Sequence, residues 1–465
     1  MIQIENTILG NEIFSIISNP SANMYNITHK IMLHTVELDI PIQIVESVEI
    51  MRDYNGNVSD YIVATFMMEM GDYVKDVHPF RDNLELSITR NINGSKYKDR
   101  YKFVVLNNTT NINASRHTRS SRDELNKLEH ARVVGQCVDK TVEALRSQHV
   151  SGIYNHTDVG SIISSSMLTG INSIKVNGSS PDISFNLVPV HNNRAYQHVT
   201  VPTGTKVLDL PTFLQDTDYG VYNGNIGTYI QNYSCPTCPN MGLFVYPLYN
   251  STIFDSAKKK LIIYGVNSVK FEMTENTYMV DGDLVKIISG GSTRNVDNAD
   301  NDKINYGSGY TSTDSNLILE RNATVTDNGV IVDTNKTNTS GIIKTPSDGN
   351  KLTQHLGPND NLYRYRSDLL KTDMTIFQIK WNFANPELIY PGMPVLYNYV
   401  DSDAGLVKLK GTVQSLFILY NEGTKTVSSV MNIMVEKPYG FTGDTIASLQ
   451  TGIGSKASEK YKKGL

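Results

Sequence analysis

Cysteine and tryptophan are scarce in this sequence, whose 465 residues include three Cys and one Trp. Three cysteines in so long a chain exclude a disulfide framework, so the fold must be held together by packing. Hydrophobic residues make up 39% of the chain, which is enough to build several cores. At this length we expect two to four domains.

Long apolar runs and an excess of basic charge are also absent. No run is long enough to span a bilayer, and the stretch MIQIENTILGNEIFSIISNP lacks the basic start and continuous apolar core of a signal peptide. We therefore expect no membrane segment, a loose N-terminal start and synthesis in a cytoplasm. The formal net charge of -5 argues against a chain-wide surface for nucleic acid or anionic lipid.

The sequence contains no Gly-x-Ser-x-Gly elbow, phosphate loop or His-Glu-x-x-His motif, and its acidic residues offer no pair that can be assigned as acid and nucleophile. We therefore expect no enzymatic activity, no catalytic residue and no cofactor. A pair of side chains brought together only by folding would escape this search.

Cys235 and Cys238 form the one Cys-x-x-Cys pair. The spacing suits zinc, but tetrahedral zinc needs four ligands and only the lone Cys137 remains. We therefore favour a structural turn of free or locally bridged thiols. The alternatives are a metal site completed by His or by another subunit, for which the pair is a weak candidate, and a redox role. The Asp-rich residues 297–302 resemble a calcium loop but lack its Gly and bidentate Glu, which indicates a solvated loop.

The clearest periodicity lies in residues 374–438. Phe377, Ile379 and Trp381 alternate with polar residues, and so do residues 427–435, which predicts two half-buried strands around a central pair. Gly- and Asx-rich turns separate the strands. We assign residues 363–440 to an antiparallel β module, which is a small β-barrel or a sandwich.

A second β-barrel module is predicted over residues 1–110. Residues 28–50 are of β type, and Pro41 marks an edge or bulge because it has no N–H for a ladder. An Asn55-Gly56 turn makes residues 42–68 a hairpin, and residues 83–88 pair with residues 101–106.

The middle of the chain is mixed. Residues 111–202 form a predicted small α+β domain, in which residues 121–128 are a short helix, residues 133–138 are strand or helix, and Asp139 caps a following helix. A further helix begins at Thr157 as N-cap, with Asp158 in its first turn, and ends near Gly170. Residues 203–288 begin with a short predicted helix, which Asp209 caps and in whose first turn Pro211 lies. The rest of this segment is predicted to be β-rich. The fold class is thus β-rich α+β, multi-domain.

Two polar segments complete the chain. Residues 289–362 are dense in Gly, Ser, Asn, Asp and Thr and are either an exposed insertion of short strands or, as we favour, an arm that orders on a partner. Residues 441–465 are a basic, small-residue-rich tail that we expect to be flexible.

Three features occur in the order found in one family. The first is the strand that contains Trp381, followed by residues 385–394 and a closing meander of strands. The second is the segment 150–154, followed by a helix that begins at a Thr. The third is residues 208–214, followed by strands that include Phe244-x-Tyr246-Pro247. The chain thereby resembles the central baseplate hub proteins of contractile-tailed bacteriophages, over about half its length.

The resemblance implies a structural virion protein located in the phage tail baseplate. It implies a homotrimer whose two tube-like domains per subunit present a pseudo-sixfold ring to the hexameric tail tube protein, with the trimeric central spike protein below, other baseplate proteins around it, and DNA only in transit through the lumen. The alternatives are a receptor- or glycan-binding tail component, whose Tyr-rich loops would stack on sugars, and a cell-wall hydrolase.

Overall fold

A computed structural model describes residues 2–18, 27–92, 95–106, 130–176, 178–233, 241–249, 253–266, 277–294, 374–401, 405–421 and 426–436, with five short strands between residues 310 and 356 and residue 363. Within these ranges the protein is mostly β-sheet with few helices. No described helix is both long and apolar enough to cross a bilayer.

The described residues form 25 strands. They are β1 (Ile27–His34), β2 (Asp39–Ile42), β3 (Ile44–Asp53), β4 (Tyr61–Glu69), β5 (Leu84–Ile92), β6 (Ser95–Val105), β7 (His130–Asp139), β8 (His149–Thr157), β9 (Ile183–Leu187), β10 (Tyr196–Lys206), β11 (Ile226–Asn232), β12 (Met241–Pro247), β13 (Lys260–Gly265), β14 (Tyr278–Asp281), β15 (Leu284–Ser289), β16 (Gly291–Arg294), β17 (Tyr310–Asp314), β18 (Thr324–Thr326), β19 (Gly329–Ile331), β20 (Ile343–Lys344), β21 (Leu352–Leu356), β22 (Met374–Asn382), β23 (Pro394–Asp401), β24 (Gly405–Asn421) and β25 (Thr426–Glu436).

The α-helices in the described ranges are few and mostly short. They are α1 (Ile2–Ile17), α2 (Met70–Asp72), α3 (Lys140–Arg146), α4 (Val159–Ser173), α5 (Leu210–Asp216) and α6 (Ile253–Ser256). A π-turn (Tyr73–Val77) and a 3-10 helix (His78–Asn83) continue α2, and further 3-10 turns cover Val207–Asp209 and Pro386–Leu388.

One 15-stranded sheet joins the two ends of the chain. Its main path runs β14-β15-β13-β23-β24-β3-β4-β7-β6-β5-β1-β2, and β25, β22 and β16 branch from β24. This path is open, and no closed barrel is found among the described strands. The two separate barrels predicted from the sequence are thus not confirmed in that detail.

The strands within residues 374–438 lie where the alternation of apolar and polar residues predicts them. Phe377, Ile379 and Trp381 of β22 are buried, and β22, β25, β24 and β23 pair in an antiparallel series. The Trp381 Nε1 donates to Thr277 Oγ1 at 3.1 Å, which ties β22 to the residue before β14.

The predictions for the first module are confirmed for its two hairpins. The β3–β4 pair turns at residues 54–60, and β5 pairs with β6. Pro41 lies in β2, the terminal strand of the path, which agrees with the predicted edge position. Residues 133–138, for which the sequence allows either a strand or a helix, belong to β7. This strand lies between β4 and β6 in the sheet.

The prediction of a loose N-terminal start is wrong, because residues 2–17 form α1. Ile13 and Ile16 pack against Tyr264 and Ile288, and the Glu12 carboxylate pairs with the Lys286 ammonium at 3.2 Å. Most helical stability comes from tertiary packing of this kind, which a local reading does not detect.

The middle of the chain has its own core of aliphatic side chains around α4, with β8 paired to β10 and with β9, β11 and β12 in a three-stranded sheet. Asp139 caps α3 as predicted, through the N–H groups of Thr141 and Val142. Pro211 lies in the first turn of α5, although the side chain of Asp209 makes no cap hydrogen bond there.

The predicted ends of the longer helix need correction. Asp158, not Thr157, caps α4, since its Oδ1 accepts from the Ser161 N–H at 2.9 Å while Thr157 is the last residue of β8. Gly170 does not end the helix but lies buried within it, where a Cβ would be 2.9 Å from Val207 Cγ1. The glycine therefore serves close packing.

The predicted short helix over residues 121–128 and the tail 441–465 lie outside the described residues. Of the segment 289–362, the structure describes the five short strands β17–β21, which form a three-stranded and a two-stranded sheet, together with the residues up to 294. Whether this segment acts as an arm for a partner stays a prediction.

Gly411 offers a test of the sheet that β24 and β25 form. A Cβ at Gly411 would be 1.9 Å from the Met434 carbonyl oxygen, so the backbone must move to admit it. We expect Gly411→Ala to lower the free energy of unfolding by roughly 1–3 kcal/mol, the range for overpacking. Denaturant titration followed by circular dichroism measures the loss.

Gly10 in α1 is the matched control, because a Cβ there meets nothing within 4 Å. Gly10→Ala should raise stability by about 0.5–1 kcal/mol through helix propensity. Equal effects of the two variants would contradict the close approach at Gly411.

Candidate functional site at the junction of the β modules

Strands from the N-terminal and C-terminal parts of the described chain meet where β3 pairs with β24. The antiparallel register runs from Ser47 opposite Asn421 to Asp53 opposite Ser415. The strands of residues 27–105 and those of residues 374–436 therefore share one continuous sheet. Side chains of the middle region also contact this junction.

Arg52 of β3 lies at the centre of this junction with its side chain 0% exposed. Its Nε donates to Asp60 at 3.4 Å, and its Nη1 donates to the Pro386 carbonyl oxygen at 3.1 Å. Its Nη2 is 3.8 Å from the Glu387 carboxylate. One guanidinium thus contacts the β3–β4 turn and the 3-10 turn that precedes β23.

A second buried arginine shares the same carboxylate. Arg90 of β5 has its Nη1 3.8 Å from Glu387 and pairs through its Nη2 with Asp99 of β6. Asn385 begins the turn that positions Glu387, since its Oδ1 accepts from the Glu387 N–H at 3.3 Å. Glu387 consequently lies between two cations that belong to the other module.

Tyrosine and glutamine side chains connect the middle region to this cluster. The Tyr229 hydroxyl donates to Asp60 Oδ1 at 2.9 Å, and the Tyr54 hydroxyl donates to Gln231 Oε1 at 3.2 Å. The Gln231 Nε2 then donates to the Ile389 carbonyl oxygen at 2.8 Å. A parallel bridge between residues 59 and 230 adds a backbone connection.

Burial dominates the ionisation of these groups. Loss of hydration raises the pKa of Asp60, against the opposing effects of the Arg52 charge and the Tyr229 hydrogen bond. Burial alone would lower the pKa of Arg52, but the Asp60 and Glu387 charges outweigh it and raise that pKa well above its usual value. Burial also raises the pKa of Tyr420 to about 12.

The cluster is therefore suited to holding three parts of the chain together rather than to chemistry. Removing one partner of a buried ion pair leaves an uncompensated charge, so the geometry is strongly specified. We take this group, Arg52, Asp60, Arg90, Asp99, Tyr229 and Glu387, as the candidate functional site and call it the junction cluster.

The structure does not place the weak metal candidates that the sequence analysis named. Cys235 and Cys238 lie outside the described residues, and so do residues 297–302. Cys137 is a free, buried thiol in β7. Within the part of the chain that the structure describes, no group of three or more His, Cys, Asp or Glu side chains could hold a metal ion.

The sequence analysis did not predict the junction cluster, although the positions of its two arginines are visible in the sequence pattern. Arg52 follows Val48 and Ile50 at the buried positions of β3, and Arg90 follows Leu86 and Ile88 in the same way in β5. The period of two thus places both arginines on the inward face. Asp60, Tyr229 and Glu387 come from other segments, and nothing in their local sequence links them to the arginines.

No family model matches this chain, and no curated protein matches it in sequence. The solved structures that resemble it include a tail protein from Neisseria meningitidis MC58, with 8% identity over 87% of this chain and 96% of that chain at a TM-score of 0.44. A 43 kDa tail protein of prophage MuSo2 from Shewanella oneidensis gives 10% identity, 88% and 98% coverage, and a TM-score of 0.45.

A third similar structure is a component of the E. coli type VI secretion system with reported structural similarity to the T4 bacteriophage tail proteins gp27 and gp5. It shows 11% identity over 88% of this chain and 78% of that chain, with a TM-score of 0.41. At these identities and TM-scores, the three likenesses determine neither the fold nor the function of this chain.

The substitution Arg52→Met tests how much the junction cluster contributes to the stability of the fold. The substitution leaves the Asp60 and Glu387 carboxylates without this cation, and we expect a loss of roughly 3–5 kcal/mol in the free energy of unfolding. Denaturant titration of the purified chain measures it.

Arg132→Met is the matched control, because Arg132 pairs with Glu46 at 2.6 Å on the surface and is 51% exposed. Exposed pairs contribute at most about 1 kcal/mol. Losses of equal size in the two variants would show that the junction cluster holds no special share of the stability.

The same variant should make stability depend on pH. Without Arg52, the pKa of buried Asp60 rises further, so the folded state binds a proton that the unfolded state releases, and stability falls as pH rises. We expect the deficit of Arg52→Met to be larger at about pH 8 than at about pH 5. The double variant Arg52→Met/Asp60→Asn should lose most of this dependence, and an unchanged slope would contradict the assignment to Asp60.

Proposed function

We propose that the protein is a structural component of a phage tail, a trimeric baseplate hub that links the hexameric tail tube to the trimeric central spike and lines the DNA channel. The observation that carries this proposal is the shared sheet. Through β3 and β24 each subunit presents its two β modules as one connected unit. Three such subunits would offer six β modules to a sixfold tube.

The junction cluster supports the proposal. A hub that adapts one symmetry to another has to keep its two β modules at a constant relative orientation while it carries load. Buried ion pairs between the modules specify one geometry, because each alternative would leave charges unpaired in a low-dielectric interior.

The outward face of the shared sheet also fits a channel wall. Phe417, Met51 and Tyr61 are consecutive partners on β24, β3 and β4, and each is between 37% and 41% exposed. This row is uncharged, so it would not hold DNA phosphates, whose binding depends on cationic side chains. In this proposal the protein resides in the virion baseplate, and its partners are the tail tube protein, the central spike protein and other baseplate proteins.

The glycan-binding alternative depends largely on residues 289–362, whose side chains are mostly outside the described ranges, so no described contact favours it. Binding and activity assays distinguish these alternatives from the hub. Retention on host glycans would favour the binding component, and release of peptidoglycan fragments would favour the hydrolase.

Light scattering of the purified chain, alone and with tail tube protein, tests the hub. We expect a particle of three 51.8 kDa chains, either alone or once tube protein is added, and co-elution of the two proteins. An unrelated soluble protein of similar charge is the control partner. A strict monomer that ignores tube protein would refute the proposal.

A further inference from the structure

Three polar side chains outside the junction cluster converge at β1, β2 and β5. His34 ends β1, Asp39 begins β2, and Ser87 lies within β5. The Ser87 Oγ is 2.7 Å from His34 Nε2, and the Asp39 Oδ1 is 2.5 Å from His34 Nδ1. A hydroxyl, an imidazole and a carboxylate therefore form one hydrogen-bonded chain.

The direction of the hydrogen bonds follows from the carboxylate. The hydrogen bond from His34 lowers the pKa of Asp39, and the nearby charges of Arg100 and Lys98 act in the same direction, so Asp39 is ionised and can only accept. A neutral His34 must then carry its proton on Nδ1. Its Nε2 is left as an acceptor, so the Ser87 hydroxyl donates to it. This is the arrangement in which a histidine acts as general base toward a serine.

A cavity of about 520 Å³ gives access to this serine. Its lining includes Ser87 together with Lys30, Met32, Pro41, Thr89 and Lys98. Lys30, Thr89 and Lys98 are successive partners across β1, β5 and β6, so the two lysines flank Thr89, which is two residues along β5 from Ser87. Ser87 itself is 1% exposed, which limits its reactants to groups small enough to enter the cavity.

We propose that Ser87, His34 and Asp39 form an acyl-transfer site that accepts small acyl esters. This activity goes beyond the structural function proposed above and does not depend on it. The residues are 53 and 5 positions apart in the sequence, and no elbow motif marks the serine.

In the reaction, the Ser87 Oγ attacks the ester carbonyl carbon while its proton passes to His34 Nε2. The carbon–oxygen bond to the alcohol then breaks, and the alcohol leaves with that proton. Water attacks the resulting acyl-serine, gives a proton to His34, and releases the acid and the serine hydroxyl. Lys30 and Lys98 supply positive charge for the carbonyl oxygen as it becomes negative.

Labelling of the full chain with a small fluorophosphonate, mapped by mass spectrometry, tests the site. We expect the label on Ser87, and a burst of p-nitrophenolate from p-nitrophenyl acetate that matches the protein concentration. His34→Gln retains a donor toward Asp39 but cannot take the proton, and should slow labelling by about 100-fold or more. Asp39→Asn, at an exposed position, should slow it less.

Ser166 is the matched control, because it is buried and its hydroxyl pairs with Tyr154 at 3.1 Å rather than with a base. Label on Ser166 at the same rate as on Ser87 would overturn the proposal. So would a folded wild-type chain without label on Ser87, or a rate that neither His34→Gln nor Asp39→Asn changes. If His34→Gln fails to fold, as judged by circular dichroism, Asp39→Asn supplies the comparison.

Discussion

Burial of two arginines in a β-sheet core is the constraint on which the rest of this structure depends. Arg52 and Arg90 occupy inward positions where the alternation of β3 and β5 would otherwise place aliphatic side chains. Carboxylates from other segments compensate their charges there. The first module therefore completes its core with residues of the β3–β4 turn, of β6 and of the turn before β23.

This constraint places an interface between distant segments of the chain in the core. Tyr229 and Gln231 extend the hydrogen bonds of the cluster into the middle region, and the Tyr246 hydroxyl donates to the Tyr54 carbonyl oxygen at 2.7 Å. Three parts of the chain thus share one polar interior. Such an interior resists relative movement, which suits a component that transmits force or symmetry.

The parts of the fold that depend on local pattern were predictable. The alternation around Trp381 and the Asn55-Gly56 turn gave the right strands and hairpin, because side-chain direction in a strand and turn geometry are set by neighbours in sequence. The pairing of β3 with β24, the packing of α1 and the position of Glu387 were not. Each requires contacts between residues far apart in the chain, such as Arg52 and Pro386, which are 334 positions apart.

The order of synthesis gives the β3–β24 pairing a consequence for assembly. Ser47 leaves the ribosome long before Asn421, its partner, has been made. Until then β3 presents an open strand edge, and open edges pair with other chains. Pairing over such a separation is also slow. Copies made side by side could therefore exchange β24, and such domain-swapped oligomers would contain native strand pairs between different chains.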